Sequence, residues 1–149
     1  MERVVVDANV LVKWFVPEDY SEYAVLLRND HLLGCVEAVA PVYAVLEFGN
    51  TVRKYYSLGV VDGEKASKIM RLFWEVRVSL KPIEEGLVWE ALRYSMENHV
   101  TLYDAYYIVL AHSLNAPMYT ADEKLLRRLS GVEDSVLHIR EYRPRCSEQ

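Results

Sequence analysis

Residues 4–6 are three consecutive valines, and the run stops on an acid, Asp7. A β-branched stretch with no polar alternation suits a strand buried on both faces. Such strands belong to parallel sheets covered by helices. Four more short apolar runs follow, at Cys35–Ala40, Val76–Leu80, Pro117–Thr120 and Val136–Ile139. Helical patterns separate them. Helices are expected over Ser21–Arg28 with Ser21 as N-cap, and from Val42 to about Tyr56 with Pro41 at its start. Others are expected from Asp62 to about Trp74, over Glu84–Asn98, from Thr101 to near Asn115, and over Asp122–Leu129. Gly59 and Gly131 are stop signals, and Thr101-Leu-Tyr-Asp104 reads as a capping-box-like start. Strands alternating with helices define an α/β layer fold with a mostly parallel sheet. The 149 residues make one domain, with about 141–149 expected to fray.

In sheets of this kind ligands bind outside the carboxyl ends of the strands. That rule singles out Asp7 after the first strand, and Thr120 and Asp122 after the fourth. Each acid has an ordinary explanation when taken alone. Asp7 and Asp122 suit turn or cap positions, and Asp104 suits the first turn of a helix. Glu47 suits a solvated helix face, off the centre of an apolar or small stripe at 42, 45, 46, 49 and 52. Gly49 costs that helix about 1 kcal/mol of propensity and so points to close packing there. The helix begun by Asp104 is apolar nearly all round from Ala105 to Ala111, and a carboxylate at its edge needs a positive partner.

Together the acids mean more. Crowded carboxylates repel and raise one another's pKa unless a cation sits among them. Oxygen donors without His or Cys favour Mg²⁺ or Mn²⁺ over zinc. An ion of this type activates water and bridges a phosphate, which fits phosphodiester hydrolysis.

The segments Val4-Val-Val-Asp7-Ala-Asn9, Leu46-Glu47, Leu102-Tyr-Asp104-Ala-Tyr-Tyr-Ile-Val-Leu-Ala111 and Tyr119-Thr120-Ala-Asp122, in this order and spacing, resemble the PIN-domain nucleases. The likeness is closest to the small VapC-type toxins of toxin–antitoxin pairs. It implies a three-layer α/β/α fold with strand order 3-2-1-4-5. It also implies a metal-dependent endoribonuclease in which Asp7, Glu47, Asp104 and Asp122 hold Mg²⁺ or Mn²⁺. Asn9 and Thr120 would be polar supports, and Asn9 stands where the family often has Thr or Ser. Expected partners are RNA, a second copy of the chain and a cognate antitoxin. Eleven tyrosines, several on the helices beginning near 42 and 101, offer contact surface for the second copy. Lys13, Arg53 and Lys54 are candidates for holding RNA phosphates. Trp14, Phe15 and Tyr20 suit core or dimer packing better than base stacking, and the four histidines show no ligand spacing.

The net charge of −5 argues against nucleic acid at first sight. With the four acids assigned to a cation site, the remainder is close to neutral. Two cysteines, Cys35 and Cys146, make neither a disulfide framework nor a zinc spacing. They point to a reducing cytosol, as does the lack of a signal-like or membrane-length apolar run. One alternative is a phosphoryl-accepting Mg²⁺-binding regulatory domain, but it would want paired acids after the first strand. A dehalogenase-type phosphatase would need an Asp where Asn9 stands. A catalytically idle PIN-fold binding module is the other alternative.

Overall fold

The computed structural model describes residues 1–146. Five parallel strands form one sheet in the order β3-β2-β1-β4-β5. They are β1 (Glu2–Val6), β2 (Val36–Pro41), β3 (Ser79–Lys81), β4 (Met118–Thr120) and β5 (Val136–His138). β1 is central, with Val5 paired to Val39 on one side and Met118 on the other. Val4, Val5 and Val6 are wholly buried, as an unalternating run requires.

The helices are α1 (Ala8–Val12), α2 (Ser21–Leu32), α3 (Ala44–Ser57), α4 (Gly63–Val76), α5 (Glu85–Asn98), α6 (Leu102–Ser113) and α7 (Glu123–Leu129). A 3₁₀ turn follows at Ile139–Glu141. α6 is the core helix. All its residues from Ala105 to Ala111 are buried, and it packs on β1, β2 and α5. Thr101 caps it, its Oγ1 accepting from Asp104 N at 3.1 Å. Asp62 caps α4 in the same way through Lys65 N at 2.7 Å. Gly59 follows α3 at φ +76°, a left-handed position that glycine fills without strain. A Cβ on Gly49 would stand 3.0 Å from Met70 Cε, so α3 and α4 do approach closely there.

Several expectations are corrected. α1 follows directly on Asp7, a helix that the turn or cap reading of Asp7 did not include. Its five residues, Ala8–Val12, are too few to show a helical repeat of their own. Pro41 ends β2 instead of opening α3, paired with Lys81 where the missing N–H costs little. Val76 ends α4, and Arg77 at φ +59° turns the chain toward β3. Ser21 is the first residue of α2 rather than its cap. Its hydroxyl accepts from Glu18 N at 3.0 Å and donates to the Val16 carbonyl at 3.2 Å. The buried face of α3 carries Ala44, Phe48 and Val52, whereas Leu46 is 74% exposed.

The tail does not fray as far as it is described. Tyr142 is wholly buried and its hydroxyl donates to Asp30 Oδ2 at 2.5 Å. Arg145 N donates to the same oxygen at 2.7 Å. The Arg145 guanidinium reaches Glu2 at 3.0 Å and the Tyr119 hydroxyl at 3.1 Å. Against the expectation of two reduced thiols, Cys35 and Cys146 are joined by a disulfide with their Cα atoms 5.5 Å apart, because the tail returns beside the start of β2. A buried Asp30 needs donors, and the tail brings them. Residues 147–149, the rest of the expected frayed segment, lie outside the described residues.

Candidate active site

The site is built where β1 and β4 end side by side. Asp7 follows β1 and takes the N-cap position of α1, but its side chain makes no capping bond. Its Oδ2 instead accepts from Thr120 Oγ1 at 2.9 Å, across the sheet. Asn9 fixes the neighbouring loop. Its Oδ1 accepts from Ala121 N at 3.1 Å and its Nδ2 donates to Thr120 Oγ1 at 3.3 Å. Thr120 Oγ1 also accepts from Asp122 N at 3.0 Å. Asp122 does serve as a cap, with Oδ1 accepting from Leu125 N at 3.1 Å. The supporting roles expected of Asn9 and Thr120 thus have definite partners.

Asp104 on the first turn of α6 and Glu47 on α3 complete the set. Tyr107, one turn beyond Asp104, donates to Glu47 Oε1 at 2.9 Å. Tyr43 stands edge-on to Tyr107, with ring centroids 5.7 Å apart. Neither tyrosine was singled out in the sequence. The i, i+3 spacing of Asp104 and Tyr107 on one buried helix face was the available signal.

The four acids act on one another. Burial pushes Asp7 up to about 7, and the charges of Asp104, Glu47 and Asp122 add to the shift, against the Thr120 hydrogen bond. Burial also raises Glu47, opposed by the Tyr107 hydrogen bond and aided by Asp104. Asp104 is raised by burial and then by Asp122. The Tyr43 and Tyr107 hydroxyls are raised as well, burial first, with Glu47 and Asp7 contributing. This is the electrostatics of buried carboxylates crowded on one another.

Asp7, Glu47 and Asp104 make no ion pair with Lys, Arg or His among the described residues. No three His, Cys, Asp or Glu side chains among the described residues form a ready-made cage for an ion. The donor set still fits a hard divalent cation. Mg²⁺ is typically held by one or two carboxylates, keeps several waters, and does not need an all-protein cage. The raised carboxylates supply both the oxygen donors and the uncompensated charge.

The other candidates fall elsewhere. Lys13 is nearly buried and its Nζ lies 3.7 Å from Glu18 and 6.0 Å from the Tyr20 ring centroid. Arg53 and Lys54 are exposed on the later turns of α3, with Arg53 bonded to Asn50. Trp14 is buried and stacks on His31. His31 is structural, accepting from Ala38 N and meeting the Val76 carbonyl at 3.0 Å each. The regulatory-domain alternative wants paired acids after the first strand, and there Asp7 is followed by Ala8 and Asn9. Val42, Leu46, Leu102 and Tyr103 form an exposed apolar group at the starts of α3 and α6.

Comparison with known proteins agrees with this geometry. The PIN domain family model matches residues 4–132. Ribonuclease VapC3 of Pyrobaculum aerophilum is 27% identical over 87% of this chain and 97% of its own length. Exonuclease VapC9 of the same organism is 32% identical over 75% of this chain and 83% of its own. Among solved structures, PAE2754 from Pyrobaculum aerophilum superposes with a TM-score of 0.66 at 23% identity, covering 93% of this chain and 90% of that one. FitAcB from Neisseria gonorrhoeae gives 0.59 at 15%, covering 93% and 99%. These two likenesses are likenesses of fold. With the family model spanning both strand ends that carry the acids, the chain belongs to the PIN domain family and is of the VapC type.

Proposed function

We propose that this chain is a divalent-metal-dependent endoribonuclease and the toxin of a type II toxin–antitoxin pair. The observation that carries the reading is the gathering of acids at the carboxyl ends of β1 and β4, where Asp7 is bonded to Thr120, Asp122 caps α7, and Glu47 is held by Tyr107 one turn from Asp104. Asp7, Glu47, Asp104 and Asp122 are the residues that would hold Mg²⁺ or Mn²⁺. The ion would polarise the phosphate and offset charge that develops on it.

The chain's own groups do the rest. Thr120 and Asn9 keep Asp7 and the β4 loop in register, and Tyr107 keeps Glu47 in place. One carboxylate of the quartet takes a proton from the water that attacks phosphorus in line. The P–O bond to the leaving nucleoside breaks, and its oxygen takes up a proton. The relatives named Ribonuclease VapC3 and Exonuclease VapC9 support a nuclease, and the open cleft beside Asp104 and Asp122 supports attack within a strand.

The partners follow from the same surface. The exposed group of Val42, Leu46, Leu102 and Tyr103 suits a second copy of the chain. An antitoxin would present a basic side chain to the acid pocket. The cytoplasm, where RNA is found, is the proposed location.

The test incubates purified protein with linear and circular RNA in Mg²⁺, Mn²⁺ or EDTA, beside Asp7→Asn and Asp104→Asn. Metal-dependent opening of the circle, lost in both variants, is expected. Cleavage of linear RNA alone would make it an exonuclease. No cleavage with either metal would leave an idle PIN-fold binding module.

A further inference from the structure

A cleft of about 270 Å³ adjoins the acids, lined by Thr101, Asp104 and Asp122 together with His99, Lys124 and Arg128. It is the meeting place of two opposite charges. Lys124 and Arg128 are four residues apart on α7 and therefore share a face. The intervening Arg127 lines a different cleft, with Glu123, His138 and Arg140. α7 thus divides its cations, and two of them line the cleft of the acids.

Neither cation is occupied by an acid. Lys124 makes no hydrogen bond or ion pair among the described residues, and Arg128 makes no ion pair there. Arg128 Nη1 donates to the backbone carbonyl of His99, at the left-handed C-cap of α5. That bond fixes the guanidinium while leaving other N–H groups to donate. A pinned guanidinium beside a free ammonium is a donor set for phosphate oxygens.

We propose that this cleft is a phosphate subsite, taking a backbone phosphate of single-stranded RNA next to the scissile one, with Lys124 and Arg128 as its binding residues. The proposal rests on the ribonuclease reading of the acids. The acids and their ion address the phosphate that is cut, and the two cations hold its neighbour and so set the strand's register across the site. None of Lys13, Arg53 and Lys54 lines the cleft. An uncompensated acid pocket would otherwise repel RNA, and a cation pair at its rim lets the backbone approach.

The test is fluorescence anisotropy with an end-labelled single-stranded oligoribonucleotide, on Asp7→Asn protein in Mg²⁺ and on wild type in EDTA. Lys124→Ala/Arg128→Ala and Lys124→Glu are compared with Arg53→Ala/Lys54→Ala, each checked for native folding by circular dichroism. The double change on α7 is expected to weaken binding about tenfold and to flatten the log–log salt slope by about 0.7 per lost phosphate contact. In the cleavage assay it should raise KM and spare kcat. Unchanged affinity, slope and KM would overturn the subsite while leaving the nuclease standing. The same is true if only the α3 pair matters, or if the protein binds no RNA in either condition. If wild type cuts nothing yet the α7 double variant still loses affinity, the subsite stands and the nuclease reading falls.

Discussion

The Thr120 hydroxyl donates to Asp7 Oδ2 at 2.9 Å, and Thr120 Oγ1 itself accepts from Asn9 Nδ2 and from Asp122 N. One side chain at the end of β4 thereby uses all its hydrogen-bonding capacity to tie β1, α1 and the start of α7 together. Thr120→Val keeps the shape and removes all three bonds. It should cost about 1–3 kcal/mol, because a buried carboxyl and a backbone N–H lose their partner. Misplaced supports of this kind lower metal affinity or activity by about 10–100-fold. Thr120→Ser should restore both. Urea unfolding and metal-dependent cleavage of the two variants check this, and equal behaviour of Val and Ser would count against it.

Asp7 makes stability depend on pH. Its carboxyl has an unfolded value near 3.8 and a folded value of about 7. Between those values the native chain keeps a proton that the unfolded chain has released. Stability therefore falls as pH rises through that window, and the loss is complete above the folded value. A shift of this size corresponds to about 4 kcal/mol. Asp7→Asn removes the charge and keeps an acceptor for Thr120. In EDTA at pH 8 it should raise Tm by roughly 10 °C, with little change near pH 4. The same variant should be inactive, as a group placed for function at the cost of stability should be. Melting curves at the two pH values decide it, and an Asn variant that melts with wild type at pH 8 would remove the argument.

Tyr107→Phe isolates the hydrogen bond to Glu47 while keeping the ring in the core. The Tyr107 donor opposes the rise that burial imposes on Glu47. Without it Glu47 should bind its proton at higher pH. The acid limb of the pH–activity profile should move to higher pH, with activity recovered on its alkaline side. The melting temperature should change less than with a donor lost from a buried acid, since Glu47 is only half-buried and can take a bond from water instead. A profile that only scales down, with its acid limb unmoved, would assign Tyr107 to packing alone.

The sheet and the acids were readable because both rest on local chemistry. A run such as Val4–Val6 is buried on both faces in any fold that accepts it, and Asp7 ends it where a crevice must be. The strand order was legible only through the family likeness. Sequence periodicity failed where tertiary contact decides. At five residues, α1 is too short to carry a helical repeat that sequence alone could read. The inner face of α3 was misread because Leu46 is apolar yet exposed. Lys124 and Arg128 look like ordinary solvated cations until the fold sets them beside Asp104 and Asp122. The tail misled most, because Tyr142, Arg145 and Cys146 gain meaning only from Asp30 and Cys35, which lie 111 or more residues away in sequence.

The last prediction comes from that tail. The Cys35–Cys146 bridge spans 111 residues, and closing a loop of that length constrains the unfolded chain by about 5 kcal/mol. The tail it holds also delivers two hydrogen bonds to the buried Asp30. Reduction alone should lower stability by several kcal/mol while leaving Tyr142 docked, because Asp30 still needs its donors. Tyr142→Phe in oxidised protein should cost about 1–3 kcal/mol, because it leaves Asp30 one donor short. Reduction and Tyr142→Phe together should cost more than either and should release the tail to protease. Neither change touches the four acids, so cleavage below the melting range should persist. Melting with and without dithiothreitol, with limited proteolysis of the C-terminus, reads these effects separately. A reduced protein with an unaltered melting temperature would mean that Tyr142 and Arg145 hold the tail without help from the bridge.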